Sequence, residues 1–154
     1  MLRTILAAVD GSATSEDGLR AAIQFARDTG ARLSILHVVD DAALHRSIAK
    51  NYAGAFVRGI ISSLMDEGQR VLKAAKLAAT RKRVKADIAL AENTRKSVAE
   101  TIVQQAGKVG ADLIVIGTHG RRGLSRLVMG SDAEAVMRLS SVPVMLVPAR
   151  KQKS

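Results

Sequence analysis

The chain has no cysteine. It offers no disulfide, no thiolate metal ligand and no thiol nucleophile. Tryptophan is absent as well, and aromatic residues make up only 2% of the chain. A surface that stacks exposed bases on aromatic rings therefore lacks its platform. No apolar run approaches the ~18 residues that span a bilayer as a helix. The apolar part of the opening "MLRTILAAVDGS" is too short for a secretory signal and reads as a strand. The missing cysteines are compatible with the cytosol, and the short apolar runs lead to the expectation of no membrane segment. Three phosphate and catalytic signatures are missing too: the P-loop G-x4-G-K-[ST], the dinucleotide G-x-G-x-x-G and the nucleophile elbow G-x-S-x-G. His37, His45 and His119 show no metal-ligand spacing.

Hydrophobic residues still make up 47% of the 154 residues, so a core of Ala, Val, Leu, Ile and Met can be built. Twenty-four Lys and Arg against 14 Asp and Glu give a formal net charge of +10. Such a balance draws anions, whether nucleotides, nucleic acid or acidic membrane surfaces.

Two hydrophobic periods alternate along the chain. "RTILAAVDGS" reads as a buried strand ending at Asp10, and "SEDGLRAAIQFARDTG" as a helix burying Leu19, Ala22, Ile23 and Ala26. "RLSILHVVD" is a second strand. Residues 41–57 carry no clear period and read as helix with loop. "IISSLMDEGQRVLKAAKLAAT" is a long helix with Ile61, Leu64, Met65, Leu72, Ala75 and Ala79 on one face. "RVKADIALAE" is the third strand, and "SVAETIVQQAGKVG" a helix opened by the capping-box spacing of Ser97 and Glu100. "DLIVIG" is the fourth strand. Ser131 and Glu134 repeat the capping-box spacing before a short helix, and "PVMLVP" closes the series between Pro143 and Pro148. The alternation predicts one α/β domain over 1–149: an open, Rossmann-like parallel sheet of five strands with helices on both faces, followed by a basic tail over 150–154.

In such a sheet, ligands bind beyond the carboxyl ends of the strands, where the winding direction reverses. That rule selects "VDGS", "HVVDD" and "GTHGRRGLSRLVMGSDAEAV". The last holds G-x-x-G-x9-G-S: Gly117, Gly120, Gly130 and Ser131. Gly117 and Gly120 allow a tight turn and a close approach to a ligand. Gly130 and Ser131 stand at a helix start, where free N–H groups favour an anion. Arg121, Arg122 and Arg126 add positive charge. Asp10 can accept a hydrogen bond from a ligand or help hold a metal ion. Blander roles are also open: Asp10-Gly11-Ser12 suffices as a turn and helix cap, and His37 reads as a structural residue.

"ILAAVDGS", "LSILHVVD", "ADLIVIGTHGRRGLSRLVMGS" and "VPVMLVPAR" together resemble the universal stress proteins of the nucleotide-binding type. The resemblance implies a cytosolic protein with strand order 3-2-1-4-5. It also implies a homodimer paired through the last strand, residues 142–147. It identifies the glycine pattern as an ATP-binding one and implies ATP, with Mg²⁺, as the ligand. Asp10 and Val38 would then contact the adenine and ribose side, Gly117 and Gly120 would line the ribose and phosphate turn, and Gly130 and Ser131 would hold the phosphates. Val9, Ile116, Arg121 and Asp132 would complete the cofactor-binding set, Asp132 as a first-turn carboxylate that suits the helix dipole but repels a phosphate if it points inward. Asp10 is the one candidate metal ligand, acting through Mg-ATP. One departure stands out: many members carry a Gly, often with Pro, after the third strand, where this chain has "AENTRKS".

The functional reading is a nucleotide-dependent stress-response sensor or switch, at most a weak ATPase. The alternatives are an interaction module that binds no nucleotide, and a nucleic-acid-binding protein acting through its basic surface.

Overall fold

The computed structural model describes residues 1–42, 44, 46, 54–93, 95–119 and 129–150. Five strands, β1 (Thr4–Ala8), β2 (Arg32–Val39), β3 (Ala86–Glu92), β4 (Leu113–Gly117) and β5 (Val144–Val147), form one sheet. All its pairings are parallel, in the order β3-β2-β1-β4-β5. The expected order is observed. Between the strands run α1 (Ala13–Thr29), α2 (Gly54–Arg81), α3 (Val98–Val109) and α4 (Ser131–Leu139).

Alternation along the central strands builds two cores. Ile5, Ala7, Leu33, Ile35 and Val115 face α1 and α2, where they meet Leu19, Ile23, Leu72 and Ala75. Leu6, Leu36, Ile114 and Ile116 face α3 and α4, where they meet Ile102, Ala106 and Val136. Strands covered on both faces must be apolar throughout, which explains the unbroken "TILAA" and "LIVI" runs.

The long helix differs from the sequence expectation. It starts at Gly54, not near residue 60, and its deep burial is concentrated toward its C-terminal half, at Gly68, Leu72, Ala75 and Ala79. Ile61, Leu64 and Met65 are only half-buried. β3 begins at Ala86 rather than at Arg83, which sits in a left-handed turn (φ 60°) that closes α2. The remainder of the unread 41–57 segment lies largely outside the described residues.

A buried carboxylate ties the two ends of the domain together. Asp17 in α1 accepts the Arg150 N–H at 3.1 Å and bonds the Arg20 side chain. The Arg150 N–H above all, and then Arg20, hold its carboxyl below the usual range against the opposing effect of burial. A depressed folded-state pKa adds stability above the unfolded value, and that stability is lost as pH falls through the folded value. Asp17→Asn is therefore expected to cost about 1 kcal/mol near neutral pH, a figure kept small because both arginines are solvent-screened. Thermal unfolding of the two proteins should converge on acidification through the carboxylate range.

Candidate functional site

A crevice of about 400 Å³ opens at the carboxyl ends of β1, β2 and β4. This is the switch point, since the chain winds from β1 outward to β2 and β3, then returns to β4 and β5. Its volume falls in the range of small-molecule sites.

The floor on the β1 side is a tight turn. The Asp10 carboxylate accepts the Ser12 N–H at 2.8 Å, and the Asp10 N–H donates to the Ser15 hydroxyl at 3.1 Å. Gly11 between them has φ 80°, a left-handed conformation that other residues adopt at a cost. Ser12 then caps α1, accepting from the Ser15 N–H. The bland role read for this stretch is real, but it also fixes Asp10 at the crevice wall.

The second wall is the end of β2, with Val38 half-exposed in an otherwise buried strand. Next to it, Asn93 acts as a clamp from the end of β3. Its side-chain oxygen accepts the Asp41 and Ala42 N–H groups at 3.0 and 3.2 Å, and its amide donates to the Asp40 carboxylate at 2.7 Å. Asn93 is only 3% exposed. The departure from the family pattern is thus a built edge: a side chain bridges two strand ends. Beyond it, a more open basin carries Arg46, Arg95 and Lys96 on its wall.

The third wall is the loop after β4. Its base is pinned by the Gly130 N–H, which donates to the Thr118 carbonyl at 2.7 Å, while the Thr118 N–H reaches Val147 at 2.9 Å. Here two expectations are corrected. Ser131 is not the helix cap; Gly130 occupies that position, in extended conformation and with no side-chain cap bond. Glu134 completes no capping box, and its N–H donates to the Gly130 carbonyl instead. Among the described residues, the early N–H groups of α4 therefore meet no capping side chain at the crevice. The Ser131 hydroxyl is not used as a cap.

Gly117, the last residue of β4, also has a packing role. A Cβ there would lie 2.8 Å from the Thr14 carbonyl oxygen and 2.9 Å from its carbon. Its lack of a side chain lets the first turn of α1 pack on the end of β4. Gly18 faces the same contact from α1, its missing Cβ 3.3 Å from the Gly117 nitrogen.

Val9, Asp10, Val38, Ile116, Gly117, Gly130, Ser131 and Asp132 all line the one crevice. Gly120 and Arg121, like Arg122 and Arg126, lie outside the described residues. Sequence reasoning missed Leu64 and Glu67, which α2 brings over the crevice, and the wall role of His37 and Ser15. Only the helical period of α2 could have hinted at the first two, and it cannot say how far the helix overhangs the sheet. His119 also lines the crevice; its Nδ1 pairs with the Thr118 hydroxyl at 2.9 Å and its buried Nε2 has no hydrogen-bond partner among the described residues. Among the described residues no group of three or more His, Asp or Glu could hold a metal ion.

The order of the strands, the helices on both faces and the crevice at the point of reversal define a doubly wound α/β protein with a switch-point site. The model of the Universal stress protein family matches residues 1–148. The chain belongs to the universal stress protein family. It is 34% identical over 150 residues to universal stress protein YxiE of Bacillus subtilis, covering 96% of this chain and 99% of that relative. Among solved structures, it resembles a universal stress protein family member from Burkholderia pseudomallei (34% identity, TM-score 0.77, 96% of this chain and 97% of that one). It also shares its fold with a universal stress protein from Archaeoglobus fulgidus solved in complex with dAMP (22% identity, TM-score 0.65, 96% and 98% of the two chains).

Proposed function

We propose that the protein binds ATP, with Mg²⁺, in this crevice and serves as a nucleotide-dependent stress-response switch, with slow hydrolysis at most. The observation that carries the reading is the α4 N-terminus, which opens on the crevice with Gly130 at the cap and, among the described residues, no capping side chain. Free N–H groups and the helix dipole there suit a phosphate. Two relatives of the same fold support an adenine nucleotide, being solved in complex with cAMP and with dAMP. The net charge of +10 favours the same sign of ligand.

In this reading the base and ribose lie by Val9, Asp10 and Val38, the turn by Ile116, Gly117, Gly120 and Arg121, and the phosphates by Gly130 and Ser131. Asp132, in the first turn of α4, suits the helix dipole. A magnesium ion carried by phosphates needs only one or two protein carboxylates, so a single Asp10 fits it. Homodimerisation through residues 142–147 belongs to the same proposal; β5 is an edge strand of half-buried residues, the kind of element that can pair with a second copy. No described helix is long and apolar enough to cross a membrane, and the proposed place of action is the cytoplasm.

The test is thermal unfolding with saturating ligand. A ligand held only by the native state at about 100 times its Kd adds about 2.7 kcal/mol. That corresponds to a rise in Tm of roughly 5–10 °C for a chain of this size. ATP should give this rise and GTP much less. Equal, negligible shifts with both would remove the nucleotide reading.

A further inference from the structure

His37 lines the crevice just described, and its buried ring bonds the backbone just beyond β1. The backbone ladder between β1 and β2 reaches the Val9 N–H, which donates to the Leu36 carbonyl at 2.8 Å. One further step of a parallel ladder would have the Val9 carbonyl accept the Val38 N–H. That carbonyl instead accepts from His37 Nδ1 at 2.8 Å. A carbonyl has no proton to give, so Nδ1 carries the hydrogen.

The ring is held for this task. It is 7% exposed. Its other edge lies against Gly68 of α2, where a Cβ would be 2.7 Å from His37 Cδ2 and 2.6 Å from Leu90 Cδ1. Only a residue without a side chain lets α2 come down onto the ring at that point.

Residues along a strand present their N–H and C=O alternately to either side. Leu36 faces β1, as its bond to Val9 shows, and Val39 faces β3, where its carbonyl accepts the Asn93 N–H. Val38 therefore faces the β1 side, beyond the last paired residue of that strand, and no described backbone group outside the strands takes its N–H.

We propose that His37 is a positioning residue for nucleobase recognition: by occupying the Val9 carbonyl it stops the β1–β2 ladder one step early and leaves the Val38 N–H and C=O facing the crevice. The inference rests on the reading that the base of an adenine nucleotide docks at Val38. A peptide group pair offers one donor and one acceptor side by side. Adenine presents an amino donor next to a ring-nitrogen acceptor, which matches. Guanine presents a carbonyl next to a ring N–H, the reverse order, which does not. The exposed Val38 peptide is then the element that separates adenine from guanine nucleotides.

The test uses the full chain with His37→Leu, which keeps bulk but removes the donor, and His37→Asn, which keeps an N–H at the same distance from the backbone. Two readouts are taken. The first is amide hydrogen exchange at Val38 without ligand. In His37→Leu the Val9 carbonyl is released to the Val38 N–H, so exchange should slow at least 10-fold; in His37→Asn it should stay near the parent rate. The second is titration with ATP and GTP. His37→Leu should lose 10-fold or more in ATP affinity, with the ATP-to-GTP preference falling toward one, and His37→Asn should recover most of both.

Unchanged Val38 exchange in a folded His37→Leu protein overturns the proposal, and so does equal loss in the two variants, which is the mark of packing alone. If the parent binds no ATP, the functional reading fails, but Val38 exchange still decides whether His37 holds the ladder open.

Discussion

Gly130→Val is expected to lower ATP affinity at least 100-fold while leaving the domain folded. The backbone at Gly130 has φ −61° and ψ 145°, an extended conformation that valine adopts without strain. Its two backbone bonds, to the Thr118 carbonyl and from the Glu134 N–H, do not involve the side chain and survive the change. The added methyl groups stand at the mouth of α4, in the space a phosphate needs beside the first-turn N–H groups. A 100-fold loss corresponds to about 2.7 kcal/mol of binding free energy. Calorimetry on the variant, together with its unfolding midpoint, checks both halves. A folded variant with parental affinity would show that this loop does not hold the ligand.

Gly117→Ala is expected to do the opposite: to destabilise the fold itself. The new Cβ would sit 2.8 Å from a backbone oxygen of Thr14, in the first turn of α1. Backbone cannot swing aside as a side chain can, so α1 must lift from β4. Overpacking of this kind costs about 1–3 kcal/mol, and a backbone clash belongs at the upper end. The predicted fall in Tm is roughly 5–10 °C. An unchanged denaturant midpoint would mean that α1 yields more easily than its contacts indicate. In the proposed reading the two glycines share a motif but differ in purpose: Gly130 keeps space for a ligand, Gly117 for a helix.

That difference could not be read from the spacing. G-x-x-G-x9-G-S says where the backbone needs room, not what fills it. Most of the fold was legible because it follows from local rules. Alternation, Ser97 with Glu100 and the apolar strand runs were enough to predict the five strands, while their order 3-2-1-4-5 came from the family resemblance. Ser131 and Glu134 had the same spacing as Ser97 and Glu100, yet the cap formed only at Ser97. The reason is tertiary: the Gly130 N–H is tied to Thr118, which sets the helix start one residue earlier. The long-range features were illegible for a related reason. Asn93 meets Asp40 and Asp41, and His37 meets Val9 and Gly68, only after crossovers bring distant segments together.

The central claim is that an adenine nucleotide occupies the switch-point crevice. The most direct measurement is calorimetric titration of the purified protein with ATP, with and without Mg²⁺, after mass spectrometry of the denatured protein has shown it free of nucleotide. Saturable binding of one ATP per chain at micromolar concentration is the predicted result. A folded, nucleotide-free protein that gives no binding heat with ATP across several temperatures would contradict it.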